Sequence, residues 1–352
     1  MQKHRLEELS SFVRDLGSEC TALIMHDNSL IAGSKDGKIV SWDIDNGKQK
    51  WILNVEGPIS DIAISDRIYI TASAELHAVK IENGALEWTN DIGGSSDLIA
   101  LSEDSIWITS SLYELDVEDY TETTLFEFNK NSKIVKTINF EEKPWFMLMR
   151  GEDLILGIGR PRCGYLIVDN SYRIIHKKIK GESPITMGIE TSSGFLLGHS
   201  NGTITEIKDK QANIIQLENS PITAITSQDD FWCIGNSNGT VISSNQWEKK
   251  FVGIIDSLVN VKELIWASLS NNENYIYLLD NRDGEIKYQI THNSRTRLIK
   301  NIGSRIALSD QNGKVMLFEE ETLFRRLEEK EEISDDQEKR DLLKKRLRAL
   351  RT

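Results

Sequence analysis

Leu30-Ile31-Ala32-Gly33-Ser34-Lys35-Asp36-Gly37-Lys38-Ile39-Val40-Ser41-Trp42-Asp43-Ile44-Asp45-Asn46-Gly47-Lys48-Gln49-Lys50-Trp51 contains two short apolar runs, and each run leads into an Asx-Gly pair. Apolar residues spaced three and four apart would mark a helix. Here the runs are short, partly β-branched and bounded by turn residues, so they are read as strands joined by hairpins. Asx-Gly provides the positive φ angles of a two-residue hairpin turn, so the two strands are expected to be antiparallel neighbours.

The first of these runs recurs along the chain. Equivalent starts are Leu30, Tyr69, Trp107, Leu154, Phe195, Trp232, Ile265 and Ile306, between 33 and 47 residues apart. That spacing is the period of a four-stranded propeller blade. Asp36-Gly37, Asn201-Gly202, Asn238-Gly239 and Asn312-Gly313 follow the second strand of their repeats. Asn46-Gly47, Asn83-Gly84 and Asp283-Gly284 fall between third and fourth strands, each with an aromatic four residues on, Trp51, Trp88 and Tyr288. Those rings are expected to wedge one blade against the next. Pro58, Pro144, Pro184 and Pro221 stand between one repeat's last strand and the next repeat's first, where proline costs no interior ladder bond. The expected fold is all-β, an eight-bladed propeller, with a seven-bladed ring as the alternative if one repeat is irregular. The last repeat shows only three strands, and residues 11–18 resemble the segment 250–257, so an N-terminal strand is expected to complete the final blade. The expected organisation is an N-terminal extension over 1–10, the propeller over 11–325, and a charged linker with a C-terminal α-helix over 326–352.

On these residues the chain resembles the WD40-like and quinoprotein (PQQ)-like β-propeller superfamily over about residues 11 to 325. Trp42-Asp43 resembles the WD dipeptide, and the run ending in Trp51 resembles the tryptophan-docking motif of quinoprotein propellers. Only this repeat carries Trp-Asp, and the Gly-His dipeptide of WD40 blade junctions is missing, because Gly198-His199 falls on a second strand. The resemblance implies a fold that hosts many functions. The quinoprotein side implies a calcium-bound quinone and work outside the cytoplasm, for which this chain carries no adjacent cysteines and no secretion signal.

Composition narrows the function further. The 352 residues carry 42 Lys+Arg against 55 Asp+Glu, a net charge of −13, so attraction of the whole molecule to nucleic acid or anionic membrane is not expected. Cys20, Cys163 and Cys233 lie far apart with no zinc or disulfide spacing, and no apolar run is long enough to span a bilayer, so a cytoplasmic protein without a transmembrane segment is expected. The six histidines show no paired-ligand spacing, and no nucleophile elbow, P-loop or kinase motif is present. No enzyme activity, cofactor or metal is expected.

Two regions stand out as candidate partner-binding sites. In the third repeat the hairpin turn is replaced by an acidic excursion, Leu112 to Thr123, containing Asp116, Glu118 and Asp119. The fourth repeat has Arg160 and Arg162 at the matching place, which gives either two loops that neutralise each other or simply face solvent, or a docking notch with bidentate arginine anchors. The other candidate is the tail. Ser334-Asp335-Asp336-Gln337 forms a capping box ahead of a helix with a stripe of Leu343, Leu347 and Leu350 among Lys344, Lys345, Arg346 and Arg348. Residues 339–352 carry seven positive charges and one negative, +6 in all. This helix could dock on the acidic propeller, enter a partner's groove or short coiled coil, or touch nucleic acid or an anionic membrane. Leu323 and Leu327 allow the preceding charged run, 319–332, to be helical as well.

The leading expectation is a non-catalytic scaffold with protein partners on its ring face and its C-terminal helix. An accessory subunit of a nucleic-acid complex, with the basic tail on phosphates, is the alternative. A small-ligand-binding or quinoprotein-like enzyme is the third reading. Partner identity and oligomeric state are not written in any motif.

Overall fold

The computed structural model describes residues 4–179, 182–208, 211–216 and 219–329. They form a closed ring of eight sheets, each with four antiparallel strands at its base. Seven blades are continuous in sequence: 20–54, 59–91, 95–140, 144–177, 185–216, 222–250 and 254–292. The eighth is shared between the chain ends. Strand Phe12–Asp15 pairs antiparallel with Lys314–Glu319, in the register Phe12↔Leu317 to Asp15↔Lys314. The first strands pack side by side around the axis, and Thr296–Ile302 of the last blade meets Cys20–His26 of the first. Eight blades and the N-terminal closing strand therefore stand as expected. The matched segment 250–257 does not correspond strand for strand, because the fourth strand Glu248–Lys250 ends at its first residue and the next blade begins at Ile254. Apolar residues recur too freely at blade junctions for an eight-residue likeness to fix a strand.

All eight proposed second-strand starts fall within second strands, and the reason for their small residues lies in the neighbouring blade. A methyl on Gly33, Gly157 or Gly198 would come within 2.7, 2.6 and 2.7 Å of Ile59, Ile185 and Ile222. Each of these isoleucines opens the next blade's first strand, and each is at most 2 % exposed. Burying such a side chain contributes roughly 1.5–3 kcal/mol, so the glycine-isoleucine contact is a repeated inter-blade lock.

The Asx-Gly turns after the second strands differ from expectation. Asp36, Asn201, Asn238 and Asn312 keep negative φ, and only Gly37, Gly202, Gly239 and Gly313 are left-handed, at 81–84°. Gly37 N–H donates to the Ser34 carbonyl, and Gly313 N–H donates to that of Asp310. This is a three-residue loop, a type I turn followed by a glycine bulge. Side chains at the strand end select it: Asn236 accepts from the N–H groups of Asn238 and Thr240, and Asp310 accepts from those of Asn312 and Lys314.

Both ends of the chain wrap around the last two blades. His4–Arg5 adds a fifth strand, parallel to Ile286–His292, and the one-turn helix Leu6–Leu9 buries both leucines. Residues 320–329 are helical, and Leu323 and Leu327, 1 % and 0 % exposed, join Leu6, Leu9, Trp266 and Phe318 in one core. Tyr288 meets Phe324 of this helix at 6.0 Å and packs on the core that blades seven and eight share with the tail. The rest of the tail, including Leu343, Leu347, Leu350, Lys344, Lys345, Arg346 and Arg348, lies outside the described residues.

Candidate functional site: the blade-three hairpin and the inter-blade slots

The acidic excursion is an extension of regular structure. Ser105–Glu114 and Asp119–Asn129 pair antiparallel out to Glu114↔Asp119, so blade three carries a hairpin that continues several residues beyond the other second and third strands. Its turn, 115–118, closes with Val117 N–H on the Glu114 carbonyl and with Glu118 at a φ of 55°. The tip is apolar in spite of its charge. Leu115 is 83 % and Val117 59 % exposed, with Leu112 and Tyr113 at 46 % each. Among the described residues no ion pair reaches Asp116, Glu118 or Asp119, and Asp119 accepts from the Tyr120 N–H.

An aromatic brace supports this hairpin on the neighbouring blade. Tyr113 and Tyr120 meet edge to face at 5.1 Å, and Tyr120 meets Trp145 at 6.1 Å. The Lys143 ammonium stands 3.5 Å from the Tyr120 ring centroid and 3.1 Å from both carboxylate oxygens of Asp97. A nearly buried cation held by a carboxylate and a ring face is satisfied on both sides. Lys143 and Trp145 carry no local signature, because they flank Pro144 in a blade junction and their partners Asp97 and Tyr120 lie in the preceding blade.

The arginine loop is not a partner to the hairpin. Arg162 grips Glu142, a carboxylate with no exposure, through Nε and through Nη2 at 3.1 Å. That carboxylate holds the guanidinium above its ordinary pKa, and His176 Nε2 fixes the Arg162 carbonyl at 2.8 Å. Arg160 stays exposed, with no ion pair among the described residues. The adjacent pair Glu142 and Lys143 separates the two loops, one taking Arg162 and the other serving Asp97. Neither mutual neutralisation nor a shared notch results. Arg162 is committed to its own blade, and the hairpin acids are left to solvent.

Other polar groups are spent inside the ring. His292 meets Asp310 at 3.0 Å, and His199 is held between the Ser183 carbonyl and the Thr205 hydroxyl. No group of three or more His, Cys, Asp or Glu residues could hold a metal ion among the described residues. The cysteines are buried and free, with burial pushing the Cys20 thiol up to about 11 and Cys233 up as well. No helix among the described residues is long and apolar enough to cross a membrane.

The slots between blades are filled unequally. The Trp51 indole N–H donates to the Ile81 carbonyl of blade two at 2.9 Å and lies over Gly84, where a methyl would come within 2.5 Å of the ring. Trp247 does the same to Asn281 and Gly284 of blade seven. At closure, Phe12 and Arg14 cover Gly47, with Arg14 Nε on its carbonyl at 2.6 Å. Trp88 is a wedge against blade three without a partner for its indole nitrogen among the described residues. Trp247 was missed because the aromatic was sought four residues after the glycine of its own blade, whereas the docking pair spans two blades. Between blades four and five lies an open cleft of about 790 Å3.

Comparison with known proteins agrees with this architecture. Residues 7–130 match the family model described as outer membrane protein assembly factor BamB. The structure is similar to BamB from Moraxella catarrhalis at a TM-score of 0.72 and 15 % identity, covering 88 % of this chain and 97 % of that one. It is similar to Sqt1 from Saccharomyces cerevisiae at 0.72 and 12 %, covering 90 % and 99 %. A computationally designed protein, Ika8, gives 0.73 and 15 %, covering 87 % and 98 %. At such identities the likeness shows the fold alone. No curated protein matches the sequence.

Proposed function

Starting from a propeller built of PQQ-like repeats, we propose that this chain is a non-catalytic scaffold that holds protein partners, with the blade-three hairpin as its principal contact. The observation that carries this reading is the hairpin tip. A soluble fold gains nothing from projecting Leu115 and Val117 into water on an extended ladder, and apolar groups displayed beside unpaired acids form a recognition surface. The chemistry that fits is a partner surface with an apolar pocket bordered by lysine or arginine. Trp145, 45 % exposed at the hairpin's base, widens the contact, and Arg160 offers a cation on the next blade. The buried free thiols fit a reducing, cytoplasmic setting.

Affinity purification with mass spectrometry tests this reading, using the full chain, a Leu115→Ser/Val117→Ser double variant and a chain lacking 334–352. Both replaced side chains are exposed, so the double variant should fold as the parent does. Loss of a defined set of co-purifying proteins from the hairpin variant is expected. Retention of every partner by the hairpin variant removes the hairpin's role. The basic composition of 339–352 keeps the nucleic-acid reading specific: salt-dependent RNA binding that vanishes with 334–352 would make the chain an accessory subunit of a nucleic-acid complex.

A further inference from the structure

The cleft between blades four and five occupies the position that an indole fills elsewhere in the ring. Trp51 stands opposite Ser41, two residues before the residue that opens its blade's third turn. Ile175 stands opposite Ile167, two residues before Asp169, which opens the same turn in blade four. The Ser243 N–H donates to the Trp247 carbonyl, as the Asp169 N–H does to that of Arg173. Blade four thus presents Arg173 and Ile175 at the two positions from which blades six and one send a tryptophan. What remains is a groove of about 790 Å3 with a floor of Ile155, Ile167, Tyr165, Phe195 and Ile207.

Three features of this groove point to an occupant. Tyr165, 7 % exposed, is packed edge to face on Phe195 at 5.5 Å, lines the groove, and has no hydrogen bond to its hydroxyl among the described residues. The rim is basic in a molecule of net charge −13: Arg173 is paired with Asp169 and Arg150 with Glu190, but Lys177 and Lys178 are exposed without an ion pair among the described residues. Finally, strand Ile174–Lys177 is the outer edge of its sheet. The same kind of edge in blade seven takes on His4–Arg5 as an added strand, so this ring already accepts an extended segment at a blade rim.

We infer that the groove between blades four and five receives an aromatic side chain carried on an extended acidic peptide segment of a partner protein, with Lys177 and Lys178 meeting the acids. The aromatic ring takes the place that Trp51 and Trp247 fill from within, and Tyr165 supplies a hydroxyl from the groove lining to the entering backbone or carboxylate. This inference rests on the scaffold reading for a protein as ligand but uses a surface separate from the blade-three hairpin.

Fluorescence anisotropy with a fluorescein-labelled Glu-Asp-Glu-Trp-Glu-Asp-Glu peptide, and with the same peptide bearing alanine for tryptophan, tests it on the full chain. Saturable binding of the tryptophan peptide with a dissociation constant on the order of 10 μM, weakened at least about 10-fold by the alanine replacement, is expected. Ile175→Trp should fill the groove from inside and weaken binding about 10-fold or more while leaving the fold intact or more stable. Should that variant fail to fold, Lys177→Glu/Lys178→Glu, on exposed positions, carries the test, with a similar loss that shrinks as salt is raised. Equal binding of the two peptides, no saturable binding, or unchanged affinity in the folded variants overturns the inference. Leu115→Ser/Val117→Ser should bind the peptide as the parent does. Failure at the groove with hairpin-dependent partners retained leaves the scaffold reading standing.

Discussion

The junctions between blades one and two and between blades four and five each lie beside the outer strand of a blade and have opposite interiors. In the first, Trp51 is 6 % exposed, bonded through its indole nitrogen and laid over a glycine. In the second, isoleucine stands at that position and a groove is left open. Blades splay apart towards the rim, so each outer slot needs a large side chain, and closing the ring constrains the inner strands far more than the outer ones. A propeller can therefore leave one rim slot unfilled without losing closure, and such a slot is available for binding.

Removing the filler is the largest expected perturbation. Trp51→Ala takes away the indole and orphans the Ile81 carbonyl, and should lower stability by about 3–5 kcal/mol, read as a shift in denaturant midpoint. Ile175→Ala, on the open side, should cost clearly less because its surroundings are already incomplete. Equal losses would show that the two slots are packed alike.

Glycine replacement gives a smaller contrast. Gly84→Ala meets both a φ of +67° and the Trp51 ring, and should cost about 2–4 kcal/mol. Gly151→Ala, at the edge of the open groove with a φ of +60° and nothing within 4 Å, bears the conformational cost alone, about 1 kcal/mol. Thermal unfolding of the two variants separates strain from steric overlap.

The smallest effect is in acid. Burial lowers the pKa of His77 in blade two and of His199 in blade five below the ordinary 6.5, opposed by Glu75 and by the Ser183 carbonyl respectively. The unfolded chain then binds more protons than the native one, so this contribution is complete above about pH 6.5 and is lost as pH falls below it. His199→Asn should flatten part of the decline of melting temperature between pH 7 and pH 5. An identical pH profile would remove His199 from the account of acid sensitivity.

Much of the ring was legible because each blade solves the same local problem. Second strands end in small residues where the next blade's isoleucine presses in, and glycine follows Asx where the chain must turn left-handed. The incomplete last repeat likewise announced that a strand from the other end was needed. The hairpin was half legible: its length and acidity showed in the spacing of the repeats, but its regular pairing and the brace of Lys143, Tyr120 and Trp145 depend on a neighbouring blade. Arg162 could not be assigned from sequence, because its partner Glu142 lies 20 residues away and carries no local signature. The same holds for Leu6 and Leu9, which looked like an extension and bury against Leu323 and Leu327 at the far end of the chain.

The sequence by itself determined the period, the strand order within a blade, the places of the turns and the closing strand, since these follow from backbone conformation and side-chain alternation over a few residues. Tertiary structure decided which aromatic docks on which glycine, which cations are spent on buried carboxylates, and which slot is left open. Those outcomes depend on contacts between blades, where residues some 30 positions apart meet at a distance and angle that no local pattern encodes, as Trp51 and Ile81 do.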